Sequence, residues 1–81
     1  MKISYSIISR GSMLVSIGNK NVTISGELIF NPPKFYADIN ALTFWDSPNE
    51  NEAISDLDKK SIIEYITKDS LEEGKTKIEF D

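Results

Sequence analysis

Residues 44–58 read FWDSPNENEAISDLD, from Phe44 to Asp58. Before this stretch apolar residues recur at every second position; after it they recur at helical spacing. It therefore marks the change from strands to a helix, and that change decides the fold. It also gathers Asp46, Glu50, Glu52, Asp56 and Asp58 with no lysine or arginine among them.

Working back toward the amino terminus, Ile3, Tyr5 and Ile7 alternate with Ser4 and Ser6, the pattern of a half-buried strand. Arg10-Gly11-Ser12 reads as a turn, and Met13, Val15 and Ile17 repeat the alternation. Gly18-Asn19-Lys20-Asn21 follows as a hairpin turn, because Gly and Asn tolerate positive φ. Val22 and Ile24 make a third strand, and Glu27 to Phe30 continue it after a bulge expected at Gly26. Asn31-Pro32-Pro33 ends that run, since proline cannot donate to a ladder. Phe35, Ala37 and Ile39 indicate another strand, and Leu42 to Trp45 a further short one.

Toward the carboxy terminus, Ser55 is the expected N-cap, with Asp56 and Asp58 in the first turn to complement the helix dipole. Ile62, Ile63 and Ile66 form the buried stripe, and Leu57 falls off it. The helix is expected to end between Lys68 and Gly74, with Gly74 a candidate C′ residue. Thr76, Ile78 and Phe80 then alternate in a last strand. The expected architecture is α+β. It has a mostly antiparallel sheet of about five to seven short strands, one amphipathic helix packed on one face, and a C-terminal strand after it. Residues 1–81 form a single domain.

Composition narrows the chemistry. With 40% apolar and 27% charged residues the chain suits a globular domain and not a disordered one. It contains no cysteine and no histidine, which removes disulfides, thiolate metal sites and the commonest general base. The serine-interrupted amino terminus is not a secretory h-region, and no stretch approaches the ~20 apolar residues of a membrane span. The default expectation is a cytoplasmic protein with no membrane partner.

Net charge is −4, yet residues 38–58 alone carry six carboxylates and no cation once Asp38 is included. Such a patch favours a basic partner and disfavours nucleic acid. The candidate contacts are Asp38, Asp46, Asn49, Glu50, Asn51, Glu52, Asp56 and Asp58. The candidate structural residues are Phe44 and Trp45 as core, Pro48 as the loop's turn, and Ile62 and Ile66 as the helix stripe. For Trp45 the alternative is a partly buried binding hot spot; Tyr36 and Tyr65 are weaker interface candidates.

Paired carboxylates can do acid–base work, but here their spacing in a loop fixes no geometry, and so small a domain has little room for a substrate cleft. The run Asp46 to Glu52 is rich in oxygen ligands, yet it lacks the glycine of a calcium loop, and Pro48 intrudes. Lys59-Lys60 belongs to no contiguous basic stripe and reads as a solvated face. No glycine-rich phosphate loop or nucleophile elbow is present. The chain reads as a non-enzymatic binding protein without a cofactor.

Several features resemble the small immunity proteins of bacterial polymorphic toxin systems, in particular immunity protein family seventy-four. These are Arg10-Gly11-Ser12, Val22-x-Ile24-x-Gly26-Glu27, Phe35-x-Ala37-Asp38, Trp45 followed by Pro48, Ile54-Ser55 before Ile62-Ile63, and Ile78-x-Phe80. The resemblance implies an α+β protein that binds and neutralises a cognate toxin domain in the cytoplasm. Many such toxins are nucleases, whose active sites are basic, so the acidic segment would serve as a phosphate mimic. The other class that fits the residues is a small adaptor or subunit pairing through an exposed strand edge as a homodimer. The free chain is expected to be a monomer or weak dimer.

Overall fold

The computed structural model describes residues 2–81. Five strands form one sheet in the order β1 (Ile3–Ser9), β2 (Ser12–Ile17), β3 (Lys20–Ile29), β4 (Lys34–Ala37), β5 (Lys77–Phe80). The first four make an antiparallel meander, and β5 pairs parallel with β4. A parallel neighbour requires a crossover. The helix α1 (Asp56–Asp69) lies on that crossover. The architecture is α+β, with the strand after the helix at the sheet's edge.

The alternating sequence puts apolar side chains in rows across one face. Tyr5, Val15 and Val22 are in register, as are Ile7, Met13 and Ile24, and farther along Leu28, Phe35 and Ile78. Ile62 and Ile66 of α1 complete this core, both fully buried. Leu57, off the stripe, is exposed. Among the described residues no helix is long and apolar enough to cross a membrane.

Strand β3 is the spine of the sheet. Its first part, Lys20 to Ser25, pairs with β2, and its second part, Gly26 to Ile29, pairs with β4. The two partners are staggered along it, which curls the sheet. Gly26 stands at the changeover without interrupting the strand, so the bulge expected there is absent. A Cβ at Gly26 would lie 2.6 Å from the Phe35 ring and against the Tyr36 carbonyl oxygen. The glycine serves close packing, not a turn.

Three further expectations are corrected. Residues 42–45 form no strand: β4 ends at Ala37, a 3-10 turn occupies Ile39–Ala41, and Phe44 makes one isolated bridge to Ala53. The Asp38 carboxylate accepts the Asn40 N–H at 2.9 Å and so turns the chain out of the ladder. Ile39 is accordingly left partly exposed instead of continuing the β4 face. Gly74, at φ 88°, shapes the turn before β5 and is not the helix C′ residue. The helix is closed by Ser70, whose N–H donates to the Ile66 carbonyl and whose hydroxyl donates to the Thr67 carbonyl.

Candidate partner-binding surface

The acidic segment is built on the side of β3 opposite β2. The Asp38 N–H donates to the Ser25 carbonyl at 2.8 Å, and the Asp46 N–H donates to the Asn21 carbonyl at 2.7 Å. The segment from 38 to 46 thus tracks the first part of β3, spaced by four β3 residues or about 13 Å. It covers backbone that β4 leaves unpaired.

The loop then closes on itself. The Trp45 N–H donates to the Glu52 carbonyl at 3.2 Å, and the Ile54 N–H donates to the Thr43 carbonyl at 2.8 Å. Inside it, the Asn49 N–H donates to the Asp46 carbonyl and the Glu52 N–H to the Asn49 carbonyl, both at 2.9 Å. Trp45 is only 3% exposed and anchors the loop in the core, as expected of a lone tryptophan. Phe44 was expected beside it and is instead 55% exposed. Adjacent residues of extended backbone point to opposite sides, so seating Trp45 inward turns Phe44 outward. Pro48 lies in the exposed turn at the loop's far end.

The carboxylates differ in their surroundings. Asp46 is half-buried and accepts the Thr23 hydroxyl at 2.7 Å. Glu52 meets the Lys20 ammonium at 3.0 Å and accepts from the Asn49 side-chain amide at 3.0 Å. Those bonds, that from Lys20 foremost, hold the Glu52 carboxyl below the usual range. The same Lys20 ammonium stands 5.9 Å from the centroid of the Trp45 ring. The cation absent from the segment's own sequence is thus supplied by β3. At the helix entry, the Asp58 N–H donates to the Ser55 hydroxyl at 3.1 Å, and Asp56 sits 3.9 Å from Lys59. Glu50 and Asn51 are exposed, with no side-chain hydrogen bond among the described residues. The surface therefore presents Glu50, Asn51 and Asp56 outward, with Asp58 half-buried at the helix entry, while Asp46, Asn49 and Glu52 also build the loop.

A second polar set lies away from this loop, and sequence reading found only Tyr65 of it. The Tyr5 hydroxyl donates to Asp69 at 2.7 Å, and Lys75 donates to the same oxygen at 2.8 Å. The Tyr5 and Tyr65 rings meet edge to face, their centroids 6.4 Å apart. Burial first, and the Asp69 bond second, raise the Tyr5 hydroxyl well above its ordinary range. Asp69 is held low by Lys75 first and by Tyr5 second. The residues are 64 positions apart in part, so only the fold could join them.

The sequence profile of the family described as Immunity protein 74 matches residues 6–81. The chain belongs to the Immunity protein 74 family. No curated protein and no solved structure matches it. Membership marks it as an immunity protein, and a family of that kind implies binding to a cognate toxin. Within this Immunity protein 74 chain, no group of acidic residues among those described is arranged to hold a metal ion.

Proposed function

We propose that the chain neutralises a basic toxin domain, of nuclease type, by presenting its acidic loop and helix entry to it. The observation that carries this reading is the exposed pair Glu50 and Asp56, with half-buried Asp58 beside them, on a loop and helix entry that their own hydrogen bonds hold in shape. A nuclease holds phosphate and so concentrates positive charge; preformed carboxylates can occupy that field and accelerate encounter. Holding the loop closed before binding lowers the ordering cost on association. Asp38, Asp46, Asn49, Asn51 and Glu52 complete the proposed contact set. The activity is inhibition by binding, with no reaction catalysed, and the cytoplasm is the compartment in which it would act.

The test is stopped-flow association of the purified chain with the toxin domain encoded beside it. Replacing Glu50 and Asp56 by lysine should slow association about tenfold at low salt, with only a small loss of melting temperature from the helix dipole and Lys59 at position 56. Equal rates for wild type and the double variant, with binding intact, would remove the acidic loop from the interface.

A further inference from the structure

The helix leaves one side of the curled sheet uncovered. Ile3, Tyr5 and Ile7 share the inward face with β2's buried Met13, Val15 and Ile17, yet they are only half-buried. Tyr65 and Asp69 of α1, with Lys75 and Thr76 beyond it, face them across a groove of about 400 Å³. Ile3, Ile7, Tyr65 and Ile78 give it an apolar part; its polar part is Lys2, Ser4 and Thr76 with the Tyr5–Asp69–Lys75 network, in which Lys75 balances Asp69.

The two sheet edges are treated differently. The outer edge of β5 is four residues long, and its Ile78 N–H is capped by the Ser70 hydroxyl at 3.0 Å. The outer edge of β1 has no partner strand among the described residues, and its seven residues include neither a charge nor a proline. Natural proteins blunt such an edge unless something covers it. An interface of standard size also needs about 800 Å² from each partner, roughly 15% of this chain's 5318 Å² accessible surface. Eight contact residues, of which three also build the loop, are a narrow source for that area.

A second copy is a poor occupant. Two-fold antiparallel pairing that matches all of β1 sets Ile3 opposite Ser9, and hence Lys2 opposite Arg10 at both ends. Like charges directly opposite are destabilising. A strand from a different chain, with carboxylates where the copy has cations, turns both contacts favourable.

We infer that an extended strand of the toxin domain, apolar at alternate positions and acidic at its ends, adds to the open edge of β1. Its apolar side chains lie over Ile3, Tyr5 and Ile7 and fill the groove against Tyr65. Main-chain bonds supply affinity, and the groove selects the side chains. This rests on the immunity reading above and gives the same toxin a second contact, on a sheet edge away from the acidic loop.

Amide hydrogen exchange on the intact chain, alone and with the toxin domain encoded beside it, tests the inference without altering the fold. Alternate amides between Ile3 and Ile7 should slow about 100-fold in the complex only. A complex that leaves β1 exchange unchanged overturns the inference and spares the immunity reading. Protection already present in the free chain, with a dimer mass by light scattering, overturns it in favour of a second copy. Failure to form any complex sinks the immunity reading and this inference together.

Discussion

The acidic loop and the groove beside β1 flank the same sheet and use their polar groups in opposite ways. In the loop, carboxylates and backbone are tied down by one another and by β3: Asp46 to Thr23, Glu52 to Lys20 and Asn49, Trp45 to Glu52. The charge is displayed on a surface that already satisfies its own backbone. In the groove one polar network is closed, Tyr5 with Asp69 and Lys75, while the strand edge next to it stays open. A patch conspicuous by its charge is thus partly internal scaffolding. A strand with no charge at all leaves the larger unmet demand for a partner, because an unpaired backbone edge bonds to any chain that reaches it.

The largest expected effect breaks the loop from below. Trp45→Ala should cost about 3–5 kcal/mol of stability, read from urea denaturation, because it removes a ring buried under the loop. If the cost is under about 1 kcal/mol, the loop is held by its hydrogen bonds and not by its anchor. Next, Ser70→Ala leaves the Ile78 N–H buried without its acceptor and should cost about 1–3 kcal/mol. It should also open the second sheet edge, so faster exchange of the Ile78 amide, beyond that of the rest of β5, sharpens the contrast with β1.

A smaller effect is kinetic. Thr23→Val frees the Asp46 carboxylate while keeping the side-chain shape, and should change toxin association less than twofold, because the charge itself remains. A larger change would mean that loop shape, not charge, governs encounter. The smallest effect is on pH dependence. Asp69 titrates below its ordinary value in the folded chain, so its contribution is present above about pH 4 and is lost as pH falls through the folded value. The difference in Tm between wild type and Asp69→Asn should therefore hold steady from about pH 5 to pH 8 and shrink in more acidic buffer. A difference that does not shrink at all as pH falls below about 4 would assign the role of Asp69 to shape and not to charge.

Much of the fold was legible in the sequence because burial on one face of a strand or helix writes its own period. Met13, Val15, Ile17, Val22 and Ile24 alternate and are all buried; Ile62 and Ile66 sit one turn apart and are both buried. Ser55 was legible as the N-cap because its acceptor bond is local, three residues along. Residues 38–45 were not, because the Asp38 turn competes with the β pattern of the side chains that follow it, and the local bond won. Of the candidate surface, the sequence located the acids but not Lys20, which neutralises one of them from 32 residues away.

The sequence by itself determined the strand-to-helix change at Phe44–Asp58, the core rows of β2, β3 and α1, and the concentration of negative charge. Each follows from neighbouring residues or from a short period. The tertiary structure alone decided which carboxylates face solvent, that Phe44 turns outward, and that β1 keeps an open edge while Ser70 caps β5. Those depend on how a long β3 staggers its two partners and curls the sheet, bringing residues from opposite ends of the chain within hydrogen-bond distance. No local pattern encodes that distance, because only packing against the rest of the chain sets it.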